Sequence, residues 1–153
     1  MKIGLLHHSA PPVVGGVETV LAQHARMLAD DGHDVRVIAG RGDVFDHRVT
    51  FFPVPVVDSR HPVVLDVKAK LDIGEVTPEF DQLVQAVYEA LHPVVNGLDV
   101  LIAHNVCSLN KNLALTAALR RLVEEPGMPR MLLWHHDVAW ATPRYQSELH
   151  RGY

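Results

Sequence analysis

The sequence predicts an α/β domain: a doubly wound, mainly parallel, Rossmann-like sheet with helices on both faces. Three observations carry that prediction. Short apolar runs at Lys2–Leu6, Val35–Gly40, Asp99–Asn105 and Arg130–Asp137 lack the polar alternation of a half-exposed sheet and read as buried strands. Segments with apolar residues at helical spacing lie between them. Strand and helix alternate at the spacing of crossover units, which join parallel neighbours.

The totals agree with one such unit. The chain of 153 residues suffices for a single domain with a sizeable core and is short for two, so residues 1–153 are taken together. Hydrophobic residues at 48% and charged residues at 21% are globular proportions. A net charge of -4 argues against a general nucleic-acid or polyanion binder. The single cysteine, Cys107, excludes an intrachain disulfide and fits a reducing compartment. The first apolar run is cut short by His7 and His8, too early for a signal peptide, and no run approaches the ~20 residues of a membrane span. The expectation is a soluble, cytoplasmic domain.

The elements follow in order. After the first strand, Val17, Val20, Leu21, Ala25 and Leu28 form one helical stripe, with Gly32 as its C-cap. The segment Val49–Val57 is rich in β-formers but holds Pro53 and Pro55, so it should be an edge strand or one that breaks early. From Ser59 to Pro78 the pattern is poor, with a short helix in VVLDVKAKL. A stronger helix opens at Thr77-Pro78, an N-cap and N1 proline pair, carries Phe80, Leu83, Val84, Val87 and Leu91 on one face, and ends in HPVVNG. A helix over Asn110 to Glu124 shows Leu115, Ala118, Leu119 and Leu122 on one side, and another begins after Pro143.

The eleven histidines are unevenly placed. His7 and His8 follow the first strand, His104 ends the strand from Asp99, and His135 and His136 end the strand from Arg130. Ligands of open parallel sheets bind outside the carboxyl ends of the strands. Each histidine alone has a packing alternative, since a strand-end imidazole commonly serves a structural hydrogen bond. His24, His33, His47, His61, His92 and His150 read as turn or helix-surface positions. Adjacent histidines on a strand point to opposite faces and chelate poorly, and no metal-binding motif accompanies them, so no metal is expected.

Gly15 and Gly16 open the first helix directly after a strand and loop. Free N–H groups at such an end attract anions, and glycine allows close approach. A plain tight turn is the alternative. The loop matches neither the dinucleotide fingerprint nor a Walker A loop. Glu18, in the first helical turn, could serve the helix dipole or bind a hydroxyl.

Together, MKIGLLHHSAPPVVGGVETVLAQHARMLADDGHDVRVIAG, DVLIAHNV and LLWHHD resemble the N-terminal half of a GT-B retaining glycosyltransferase of family four. The resemblance lies in the Gly-Gly-x-Glu loop, the Gly32-His33-Asp34-Val35 turn, the His-Asn strand end and the His-Asp strand end. It spans almost the whole chain and is weakest from Arg41 to Pro78.

The resemblance implies two Rossmann-like domains around a cleft, of which this chain holds the acceptor-side one. The missing C-terminal domain would grip most of a nucleotide-sugar donor. Gly15 and Gly16 would face the donor diphosphate. His136 would sit at the reaction centre, with His135 the alternative one register away. Glu18, His104, Asn105 and His8 would line the acceptor side. No cofactor or metal is implied, and the nucleotide sugar is a substrate. The acceptor is a sugar, a lipid or a small molecule, and a lipid would bring a peripheral membrane contact. The domain alone would be inactive. The other readings are a non-catalytic anion- or nucleotide-binding module and a nucleotide-sugar epimerase of GT-B architecture.

Overall fold

The structure, a computed structural model, describes residues 1–148. Its strands are β1 (Lys2–Ser9), β2 (Asp34–Arg41), β3 (Val49–Pro53), β4 (Val100–His104) and β5 (Arg130–Trp134). They form one five-stranded sheet in the order β3-β2-β1-β4-β5. All pairings are parallel. The helices are α1 (Gly16–Asp30), α2 (Pro62–Leu71), α3 (Pro78–Val95) and α4 (Leu113–Glu124). The doubly wound Rossmann-like α/β arrangement expected from strand–helix alternation is therefore present, and chain order reverses beside β1, where such sheets open a crevice.

Strand alternation divides the core in two. Leu6 and Ile38, with Leu101 and Ala103, pack with residues of α2, α3 and α4 on one face. Ile3 and Leu5, with Val35 and Val37, pack with Leu21 and Ala25 of α1 on the other. The continuous apolar runs of β1 and β2 follow from this double burial: a polar side chain on either face would lose its water without a partner.

Several boundaries differ from the sequence reading. β1 continues to Ser9, so His7 and His8 belong to the strand and are buried at 6% and 3% exposure. The ladder with β2 extends through Ser9↔Arg41, which keeps the backbone extended past the last apolar residue. Gly32 lies one position beyond the C-cap, Asp31, at φ 78°. It donates to Ala29, and His33 donates to Leu28, the pair of bonds that closes a helix through a left-handed glycine. α3 runs through Pro93 to Val95 and ends within HPVVNG, as its sequence suggests. α4 starts at Leu113, with Asn112 as its cap.

β3 is an edge strand that stops at Pro53, as its prolines require. β5 is the opposite edge and is the clearest departure. Its apolar sequence predicts a buried strand, yet Leu132, Leu133 and Trp134 are 54%, 48% and 47% exposed. Among the described residues its strand neighbour is β4, and α1 touches it through His24 against Trp134. After Pro143 the chain forms a 3-10 turn, Pro143–Glu148, in place of an α-helix within the described residues. Among those residues no helix is long and apolar enough to cross a membrane.

Candidate functional site

Because the strands are parallel, the ends of β1, β4 and β5 and the start of α1 share one edge of the sheet. His7 points to the α1 face, on the odd-numbered side of β1 with Ile3 and Leu5. Its Nδ1–H donates to the His104 carbonyl at 2.6 Å, which leaves Nε2 as the acceptor nitrogen, 3.9 Å from the Glu18 carboxylate. Glu18 also accepts from the Ser9 hydroxyl at 2.5 Å. The end of β1 is thereby tied both to β4 and to the first turn of α1.

His104 is fully buried at the end of β4. Its Nδ1 lies 3.4 Å from Nε2 of His136. Its ring is 5.2 Å from that of His24 and stacks at 6.1 Å on Trp134. His24 meets Trp134 edge-on at 4.7 Å. The buried Nε2 of His104 has no hydrogen-bond partner among the described residues. A bare acceptor is cheaper to bury than a bare N–H, so the favoured tautomer carries its proton on Nδ1 and donates to His136.

Burial sets the charge of this cluster. Desolvation pushes His7 down to about 3, with neighbouring His8 adding to it and the hydrogen bond to the His104 backbone opposing it. Desolvation, and then His24 and His136, push His104 down to about 4. His24 is lowered by the same two causes, burial and His136. At neutral pH His7, His24 and His104 are uncharged imidazoles. Such rings can donate to and accept from hydroxyls but bring no formal charge to the site.

The two glycines have different surroundings. A Cβ on Gly15 would stand 2.1 Å from Oε2 of Glu18, so Gly15 makes room for that carboxylate. Glu18 is three residues past the Gly15 N-cap, in the first turn of the helix, and its carboxylate folds back over the helix start. A Cβ on Gly16 would meet nothing within 4 Å. Of the pair, Gly16 is the one that borders open space at the helix N-terminus.

Contacts link Glu18, His7, His104, His136 and His24, and Gly16 opens α1 at the same sheet edge. His136, and not His135, touches His104; His135 is exposed and makes no hydrogen bond, ion pair or ring contact among the described residues. His8 lies on the opposite face of β1 from His7. Its Nδ1–H donates to the Val57 carbonyl at 3.0 Å, and burial lowers its pKa. Asn105 is buried behind the His136 loop, with its side-chain oxygen engaged by that loop. His150 lies outside the described residues.

His24 reads from the sequence as a turn or helix-surface position, yet it joins the cluster. The signal was present: it sits three residues after Leu21 and four before Leu28, on the apolar stripe itself. Ser9 and Trp134 carried no such signal, because their roles depend on where α1 crosses the sheet. Among the described residues no group of three or more His, Cys, Asp or Glu is arranged to hold a metal ion. No protein-family model matches this chain, and no curated protein matches it significantly.

Proposed function

We propose that this chain is the acceptor-side, N-terminal domain of a GT-B retaining glycosyltransferase, which moves a sugar from a nucleotide-sugar donor to an acceptor hydroxyl. The observation that carries the reading is one juxtaposition: the open helix start at Gly16 and the His104–His136 pair share the carboxyl edge of a parallel sheet, beside the point where strand order reverses. On this reading the donor diphosphate approaches the N–H groups of α1, which stabilise charge as the bond from the sugar C1 to phosphate breaks. The acceptor oxygen forms the new bond to C1 on the same face, and its proton passes to the departing phosphate. His136 binds the transferred sugar, with its ring held by His104. On this reading a second domain supplies the remaining grip on the donor. The acceptor is a sugar, a lipid or a small molecule.

A non-catalytic anion-binding module is the second reading. The Glu18 carboxylate covers part of the helix start, so on either reading an anion must displace it to reach the N–H groups.

The test is nucleotide release by the full-length protein with a panel of nucleotide sugars, with and without EDTA. Expected is metal-independent release that falls about a hundredfold in His136→Ala, the loss typical of a group that stabilises a transition state. Gly16→Val should weaken donor binding while the fold persists, since its side chain enters open space. No release with any donor, or release unaffected by both substitutions, moves the assignment to the binding module.

A further inference from the structure

The sequence reading makes Asn105 a residue that lines the acceptor side, but its amide oxygen is already taken. Oδ1 of Asn105 accepts from the Ser108 hydroxyl at 3.1 Å, from the His136 N–H at 3.2 Å and from the Asp137 N–H at 3.1 Å. The Asn105 N–H donates to the Trp134 carbonyl at 2.8 Å. One residue thus holds the last residue of β5 and, through its side chain, two residues of the loop that follows. It is 2% exposed and adopts φ 54°, the left-handed region that asparagine tolerates better than most side chains.

Two successive N–H groups converging on one point form a concavity that ordinarily takes the oxygen of an anion. Here a neutral amide oxygen fills it. Ser108 adds a second tie, since its carbonyl accepts from the Ala139 N–H at 3.0 Å. The chain from His135 to Trp140 is otherwise largely at the surface, and among the described residues the His136 ring is hydrogen-bonded only to His104 Nδ1. Without Asn105 the His136 backbone would keep no hydrogen bond to the β4 end.

We propose that Asn105 is a positioning residue: it fixes the backbone of His136 and Asp137, holds the His136 imidazole beside His104, and makes no ligand contact through Oδ1. Its importance for catalysis rests on the sugar-transfer reading, whereas the positioning itself does not. Serine at this position would be too short to span to both N–H groups, and alanine would also have to bear the left-handed backbone. Glycine separates the two roles, because it accepts φ 54° and lacks the amide. Aspartate keeps an acceptor oxygen in the concavity.

The experiment is amide hydrogen exchange, read residue by residue by NMR on the 153-residue chain, for the wild type, Asn105→Gly and Asn105→Asp. In the wild type the His136 and Asp137 amides should be protected although their side chains lie at the surface. In Asn105→Gly these two amides should exchange about tenfold faster, the change expected when a single protecting hydrogen bond is lost, while β1 and β4 keep their protection. Asn105→Asp should restore it. Wild-type amides that exchange as freely as an open loop would overturn the proposal with no variant needed. So would unchanged exchange at His136 and Asp137 in a folded Asn105→Gly.

In the full-length protein Asn105→Gly should lower kcat with the donor KM within about twofold, because binding groups stay and only the orientation of His136 loosens. A full-length protein that transfers no sugar defeats the glycosyltransferase reading alone, and the exchange result still decides the role of Asn105.

Discussion

His7 and His104 are kept neutral by their burial, and this makes stability depend on pH. His7 is pushed down to about 3 and His104 to about 4, while in the unfolded chain both titrate near the ordinary 6.5. Between these values the unfolded chain binds protons that the native chain does not. Native stability is therefore full above about pH 6.5 and is lost as pH falls through the window toward 4, by up to ~1.4 kcal/mol per pH unit for each such group. Urea unfolding at a series of pH values from about 7.5 to 4.5 should show the midpoint falling with acid. His7→Gln, which keeps a donor for the His104 carbonyl but cannot titrate, should flatten the fall. An equally steep profile in that variant would assign the acid sensitivity elsewhere. The positions of these histidines at strand ends were legible in the chain. Their neutrality was not, because desolvation depends on α1 lying over His7 and His104, a contact between distant segments.

Helix α4 shows how an element's start is decided by more than its own sequence. Asn110 and Asn112 are both good cap residues, and local pattern alone placed the helix from Asn110. Asn112 caps it, accepting from the Leu115 N–H at 3.1 Å. The other end of its amide donates to the Val56 carbonyl at 3.0 Å, in the 3-10 turn Pro55–Val57. The same turn supplies the Val57 carbonyl that receives His8. One side chain therefore satisfies a helix start and a buried carbonyl across the core, which Asn110 cannot do from its place. Asn112→Ala should lower unfolding free energy by about 1–3 kcal/mol, from the lost cap and the unpartnered carbonyl. Asn112→Asp keeps the cap and loses the donor, so its chemical-denaturation midpoint should fall between those of the wild type and the alanine variant.

At the scale of the whole molecule, the sheet is covered unevenly. α2, α3 and α4 close one face, while α1 alone lies against the other and leaves the β5 side open. Leu132 and Trp134 lie on that open face and Leu133 on the reverse, on a strand whose outer edge has no partner among the described residues. An apolar edge of this kind promotes association. Leu132→Lys should leave the melting temperature nearly unchanged, because Leu132 is 54% exposed, and should reduce light scattering at high protein concentration. A large loss of stability in this variant would show that Leu132 is covered in solution. The imidazole cluster sits beside this open side, where Trp134 packs against His24 and His104. Covering the open face would therefore also enclose the candidate site.

Much of the architecture was written in local sequence. Apolar runs of strand length, stripes at helical spacing, Pro53 in β3 and Gly32 after α1 each act through forces among near neighbours. The parallel sheet, its helices and the delivery of histidines to one edge follow from them. What only the tertiary structure decided is which of those residues meet. Gly15 accommodates Glu18 while Gly16 borders open space, His136 rather than His135 reaches His104, His24 joins from α1, and Asn105 serves the loop. The apolar sequence of β5 told of burial that its edge position does not provide. The physical reason is the same in each case. Periodicity sets the face on which a side chain stands, whereas its partners, its loss of water and its charge depend on segments brought beside it by the sheet.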